Sequence, residues 1–169
     1  MKKSFTLLEV VISITLFMIV IVFLYKTLDQ TKFSNMKFSQ KEEAFRLTND
    51  LYNIFLEDVL ESSSVKIETT KDKNTIVKLI TSNTYHNPFF NNVTYLIGSN
   101  DKLVRIESSE SFKNAETPYD FYEASFIDIL LDNIEFFEVQ EDKEGLLFSF
   151  QQKNKERVFL NTYKLGAKK

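Results

Sequence analysis

The chain lacks cysteine and tryptophan and is poor in glycine, proline and histidine. Its 169 residues include 3 Gly, 2 Pro and 1 His. Without cysteine, no disulfide, thiolate site or redox pair can form. One histidine without cysteines cannot supply an ordinary zinc site, so we place His86 in a surface loop. With so few glycines, the chain also has no glycine-rich loop that could cradle a phosphate.

The acidic residues do not form a recognisable catalytic or metal-binding pattern. The run Glu141, Asp142, Glu144 and Gly145 lacks the spacing of a calcium-binding loop, and a solvated hairpin explains it better. No nucleophile elbow is present, and spacing singles out no pair of carboxylates for acid–base catalysis. We therefore expect no catalytic residues, no metal and no cofactor, and we expect that the protein is not an enzyme.

The overall charge argues against a nucleic-acid partner. The formal net charge is −3, whereas nucleic-acid footprints are built from clustered Lys and Arg. Hydrophobic residues make up 43% of the chain and aromatic residues 14%, which is enough to build a core. The composition therefore indicates a folded domain and argues against a nucleic-acid partner.

The amino-terminal segment has the length and composition of a membrane helix. No charge occurs from Val10 to Tyr25, and Phe5 to Leu8 extend this run toward the roughly 20 residues that a bilayer core requires. Lys2 and Lys3 precede the run and act as targeting charges, because the positive-inside rule keeps a short basic end in the cytoplasm. The body then lies on the periplasmic side. No A-x-A-like cleavage site follows the run, so the helix is retained.

Glu9 is unexpected inside this apolar run. A carboxylate in a bilayer core costs roughly 2.5 kcal/mol or more. An ordinary signal anchor could hold Glu9 at the interface near a helix amino terminus, where negative charge is favoured. This alternative accounts for the charge, but it gives no reason for the residues around it.

Those residues carry a resemblance to a known family. The basic pair, then Ser-Phe-Thr-Leu-Leu-Glu, then the apolar run resembles the leader of type IV pilins and type II secretion pseudopilins, whose motif is G-F-T-L-[IL]-E. Ser4 stands where the family has Gly. The resemblance implies that prepilin peptidase cleaves between Ser4 and Phe5 and methylates the new amino terminus at Phe5. Glu9 then corresponds to the family's assembly glutamate.

A physical hypothesis follows from this cleavage. The new amine at Phe5 is charged, and the Glu9 carboxylate of one subunit could reach the amine of a neighbour in a bundle of such helices. An unpaired charge in a low-dielectric setting costs several kcal/mol. Glu9 would therefore select the register between assembling helices.

The segment after Tyr25 has the pattern of an amphipathic helix that continues the membrane helix over residues 26–62. The first proline is Pro88 and the first glycine is Gly98, so nothing forces an earlier break. Apolar residues recur near helical spacing. We expect this stripe to pack on the domain's own sheet: Phe33, Met36, Ala44, Leu47, Leu51, Phe55 and Val59.

The remaining residues have the pattern of strands and turns. Seven segments combine β-branched or aromatic residues with partial alternation. Residues 97–101 indicate a hairpin turn in which Gly98 can take positive φ. Residues 83–92 and 108–123 indicate loops, and 124–131 fits either a helix or a strand. The predicted strands begin at Val65, Thr75, Val93, Leu103, Ile134, Leu146 and Arg157.

These patterns predict an α+β, pilin-like fold, with a long amino-terminal helix packed on an antiparallel body. The predicted divisions are a leader over 1–4, a transmembrane helix over 5–25, its amphipathic continuation over 26–62 and the periplasmic body over 63–169. Residues 93–108, followed by the hairpin from Ile134, resemble the minor pseudopilins of the J type.

The resemblance implies a minor pilin or pseudopilin that is first anchored in the inner membrane by a single helix and then joins a filament, at its tip. Its partners would be other pilin-like subunits and prepilin peptidase. We rank type II secretion first among the machines that it could serve, a type IV pilus second and a DNA-uptake pseudopilus third. The alternative from another class is a signal-anchored periplasmic protein without a filament role.

Overall fold

The computed structural model describes residues 6–70, 74–114 and 117–164. Lys2, Lys3, Ser4 and Phe5, which carry the predicted targeting, cleavage and methylation, lie outside the described residues. The chain divides into two compact units, Met1–Thr48 and Asn49–Lys169. The elements are α1 (Leu7–Leu60), β1 (Ser62–Thr69), β2 (Thr75–Thr81), β3 (Asn92–Ile97), β4 (Leu103–Ser108), α2 (Tyr119–Glu123), β5 (Phe126–Leu131), β6 (Ile134–Glu141), β7 (Gly145–Gln152) and β8 (Val158–Tyr163).

The first unit contains the larger part of α1. Hydroxyl side chains in this part satisfy their own polarity by donating to the carbonyl one turn earlier, as Ser13 does to Glu9 at 2.8 Å and Thr15 to Val11 at 2.8 Å. The helix can therefore be apolar on all sides without leaving a hydroxyl unsatisfied. Its large apolar residues are exposed except for the half-buried Ile21, and α1 is the one helix among the described residues that is long and apolar enough to cross a membrane.

The second unit is built from two antiparallel sheets. The strand orders are β1-β2-β3-β4-β5 and β6-β7-β8, so each strand pairs with its neighbour in the chain. From the last turns of α1, Leu51, Phe55 and Val59 enter the core at a spacing of four residues. The Phe55 ring stacks on Phe148 of β7 at 4.2 Å and meets Tyr95 of β3 edge-on at 5.0 Å. Helix and both sheets thus share one hydrophobic core.

Two glycines have different roles in the hairpins. The Gly98 amide donates to the Lys102 carbonyl at 2.8 Å and closes the β3–β4 turn. The positive φ of this turn occurs at Asp101, at 52°, and Gly98, which the sequence left free to adopt it, does not do so. Gly145 is required by close packing, because a Cβ atom there would lie 1.7 Å from the Thr162 carbonyl oxygen.

The structure confirms the predicted fold class and corrects several details. The antiparallel body consists of two sheets, a division that the sequence pattern did not specify. Helix α1 ends at Leu60, and Ser62 already belongs to β1, because its backbone pairs with Thr81. The segment 124–131, which the sequence left open, forms strand β5, and the predicted loop 108–123 contains the short helix α2.

The apolar stripe of the helix is only partly used in the core. Its last three members are buried, as predicted, but Phe33, Met36 and Leu47 are exposed. The prediction that the whole stripe packs on the domain's own sheet was therefore wrong. The three exposed residues belong to the first unit, which contains no strand among its described residues.

Candidate functional site

Glu9 and Thr6 form a reciprocal cap at the start of α1. The Thr6 amide donates to Glu9 Oε2 at 2.9 Å, and the Thr6 hydroxyl donates to the same oxygen at 3.0 Å. In return, the Glu9 amide donates to Thr6 Oγ1 at 3.3 Å. This is a capping box, in which two backbone N–H groups that lack helical partners are satisfied by side chains.

The cap fixes the orientation of the Glu9 carboxylate while leaving half of it available. Oε2 receives both Thr6 donors, whereas Oε1 accepts no hydrogen bond from the described residues. The carboxylate is exposed and lies in the first turn of the helix, where the helix dipole favours a negative charge. It can therefore accept a further hydrogen bond from a cation supplied by another chain.

The sequence contained the signal for this cap, although Thr6 was not assigned a role. Thr-Leu-Leu-Glu at positions 6–9 matches the S/T-x-x-E signature that precedes an apolar helix. The cap gives Glu9 an intrachain role beside the predicted intermolecular one. Cleavage after Ser4 would leave both residues in the mature chain.

The surface after the cap is apolar on every side of the helix. Exposed fractions in this part include 65% for Phe17 and 67% for Phe23. A helix that is hydrophobic all round needs a lipid or protein environment to cover it. The first unit therefore combines an apolar helix with one oriented carboxylate at its start.

A second cluster of charges lies in the body and is completely buried. Arg105 on β4 and Asp58 on α1 are each 0% exposed. The guanidinium makes a two-pronged contact with the carboxylate, Nε to Oδ2 at 2.8 Å and Nη2 to Oδ1 at 3.1 Å. The Tyr95 hydroxyl donates to the same Oδ2. Burial alone would lower the pKa of Arg105, but the hydrogen bonds and charge of Asp58 raise it above its usual value.

Glu107 extends this cluster to the loop between β2 and β3. It accepts a hydrogen bond from Arg105 Nη1 at 2.9 Å and from the backbone amides of Tyr85, His86 and Asn87 at 2.9, 3.1 and 2.9 Å. Burial raises the pKa of Glu107, but these hydrogen bonds together outweigh burial and hold the pKa below its usual value. The Glu107 carboxylate therefore holds the loop in place through three backbone hydrogen bonds.

His86 lies in this loop, as predicted. Its ring stacks on Phe126 at 4.6 Å, and its Nε2 lies 2.9 Å from Asp128 Oδ1 on β5. Arg105 Nη1 is 3.7 Å from the other oxygen of Asp128. The ring therefore belongs to the packing between the loop and the edge of the sheet.

The buried cluster stabilises the body, and the sequence pattern did not reveal it. Every buried side-chain nitrogen and oxygen of the described residues has a hydrogen-bond partner, so the cluster joins helix, sheet and loop into one satisfied network. A clue was present in Asp58, a carboxylate within the apolar stripe between Phe55 and Val59. In Leu-Val-Arg-Ile-Glu, alternation also places Arg105 and Glu107 on one face.

Comparison with known proteins identifies the amino-terminal segment. Residues 1–25 match the model of the prokaryotic N-terminal methylation motif. Neither the curated proteins nor the solved structures gave a match. The matched range includes Ser4, Phe5 and Glu9, the predicted cleavage, methylation and assembly residues. The chain therefore carries the motif that is the hallmark of the type IV pilin-like and pseudopilin substrates of prepilin peptidase.

Proposed function

We propose that this protein is a minor pilin or pseudopilin that is processed by prepilin peptidase and assembled into a type II secretion pseudopilus or a type IV pilus. Cleavage between Ser4 and Phe5 would release the leader, and Phe5 would be methylated. The observation that carries the proposal is the methylation motif at residues 1–25, together with the capped carboxylate of Glu9 that it contains. The protein acts as a structural subunit and not as an enzyme.

The geometry at the start of α1 supports an assembly role for Glu9. Thr6 orients the carboxylate and leaves Oε1 open, so a cation from a neighbouring subunit has an acceptor in a fixed position. The amine at the mature amino terminus is such a cation. In an apolar bundle of helices this pair would favour one stagger, because a misplaced neighbour would leave both charges unpaired.

The exposed apolar surface of the amino-terminal helix supports a membrane location and other pilin-like subunits as partners. The helix would anchor the protein in the inner membrane, with the body on the periplasmic side because Lys2 and Lys3 stay in the cytoplasm. In the filament, other pilin-like subunits would replace lipid as the cover for the apolar helix. We place the subunit near the filament tip, on the resemblance of the body to minor pseudopilins.

Replacement of Glu9 tests this proposal. Glu9→Leu is expected to insert into the membrane and to be cleaved, but to be lost from the filament fraction when it is produced with the peptidase and its partner subunits. Glu43→Leu is the matched control, since it removes an exposed carboxylate from the same helix outside the capped turn. Normal incorporation of Glu9→Leu would refute the pairing of Glu9 with a neighbour's amine.

A further inference from the structure

Strand β5 is an open edge of the larger sheet. It pairs with β4 on one side, and no other strand of the described residues pairs with it on the opposite side. An edge strand directs a row of unpaired backbone N–H and C=O groups outward, which is a template for another strand. Five of its six residues are apolar, and Ile127 and Ile129 are 46% and 55% exposed.

The opposite edge of the same sheet is protected. Strand β1 presents Lys66, whose side chain is 72% exposed and forms an ion pair with Glu68 at 2.8 Å. Charged residues of this kind are how sheet edges resist unwanted pairing. In β5 the one charged residue is Asp128, and its carboxylate is engaged by His86 and lies near Arg105. The outward side of β5 therefore has no charge that would repel an apolar strand.

A fastened loop presents further aromatic surface beside this edge. Glu107 holds the loop through three backbone amides, and the Phe90 ring lies 5.8 Å from Phe126 at the start of β5. The adjacent Phe89 is 84% exposed although its amide is bonded to Asn87 Oδ1 at 3.0 Å. An exposed aromatic side chain on an ordered loop is typical of an anchor in a protein interface.

The charge around β5 indicates the kind of partner. Between Ser109 and Asn133 the sequence contains six acidic residues and one Lys. Asp120 and Glu123 lie in α2 directly before the strand, and Asp132 follows it, paired with Lys102 at 3.2 Å. A second copy of β5 would bring two acidic surroundings together, whereas a basic segment would be attracted.

We propose that β5 is a docking edge for an extended segment of a different protein, in which alternating apolar residues are flanked by Lys or Arg. The backbone of this segment would extend the sheet as a sixth strand, and its apolar side chains would cover Ile127 and Ile129. This mode of recognition takes affinity from main-chain hydrogen bonds and specificity from alternate side chains. The surface lies in the body and adds a contact to those proposed for the amino-terminal helix.

The proposal can be tested on the full chain in detergent micelles with synthetic peptides. The probe is a fluorescent peptide in which Val and Thr alternate between two pairs of Lys, and its binding is followed by anisotropy. Replacing the Lys pairs with Glu is expected to weaken binding about tenfold or more, because like charges would then meet. Methylating alternate backbone amides of the probe should abolish binding, because the strand could no longer donate its hydrogen bonds.

Variants of the two edges complete the test. Ile129→Lys is expected to weaken binding of the Lys-flanked peptide about tenfold, whereas Ser64→Lys, which adds the same charge to β1, should leave it within about twofold. Hydrogen exchange should slow at the amides of β5 and not at those of β1 when the peptide binds. The proposal is overturned if the peptide does not bind or binds both variants equally. It is also overturned if the chain self-associates through β5 and Ile129→Lys abolishes that association.

Discussion

Replacing Arg105 with Met tests the role of the buried network in holding the body together. The guanidinium contributes two hydrogen bonds to Asp58, one to Glu107 and one to the Asn83 carbonyl. Both carboxylates are fully buried, so the substitution leaves two acceptors without their cation. Removing one partner of a buried ion pair costs about 3–5 kcal/mol. For a domain whose total stability is about 5–15 kcal/mol, this is a large share.

The measurement is urea unfolding of the full chain in detergent micelles, followed by the circular dichroism of the sheets. Arg105→Met should lower the free energy of unfolding by at least about 3 kcal/mol near neutral pH. Part of the loss should disappear in acid, because Glu107 no longer needs a cation once it is protonated. Arg105→Lys should fall between wild type and Arg105→Met, since Lys keeps the charge but not the two-pronged geometry. A loss below about 1 kcal/mol for Arg105→Met would refute this account.

Three further predictions concern the core, the hairpins and acid stability. Phe55→Ala should destabilise the body by about 3–5 kcal/mol because Phe55 is fully buried on Phe148, whereas Phe45→Ala should change the urea midpoint little because Phe45 is 69% exposed. Gly145→Ala should destabilise the body by about 3 kcal/mol or more. Gly98→Ala should be tolerated, because its Cβ would meet no atom closer than 3.8 Å. Equal thermal unfolding of the two variants would contradict this. The pKa of Glu107 in the folded protein lies below its usual 4.5, so its contribution to the free energy of unfolding is full above about pH 4.5 and is lost as the pH falls through the folded pKa. Glu107→Gln should therefore flatten the decline of stability in acid, and an unchanged pH profile would contradict this.

The strands and turns were predictable because the signals for them are local. Alternation marked the strands from Thr75 and Leu103, and the glycines at 98 and 145 marked two hairpins. The stretch 124–131 was ambiguous because an apolar run without clear alternation suits a helix or a strand. Pairing with β4 decided it in favour of a strand. Such a pairing is a tertiary interaction that local sequence does not contain.

The candidate site also contains some residues that the sequence singled out and others that it did not. The sequence singled out Glu9 because a carboxylate in an apolar run is unusual, and its capping partner Thr6 could have been read from the T-x-x-E spacing. The buried network was not predictable as a unit, since Asp58 and Arg105 are far apart in the chain and meet only after folding. The extent of the buried helical stripe was missed for a related reason. Periodicity shows which residues share a face, but it does not show where that face stops being covered.

Identifying the mature amino-terminal residue is the measurement that tests the central claim most directly. The chain would be produced with and without a prepilin peptidase, and its amino-terminal peptide would be analysed by mass spectrometry. We predict a methylated Phe5 that appears only with the active peptidase, because residues 1–25 carry the methylation motif. Retention of Met1 to Ser4 in the presence of an active peptidase would contradict the account and favour an ordinary signal-anchored protein.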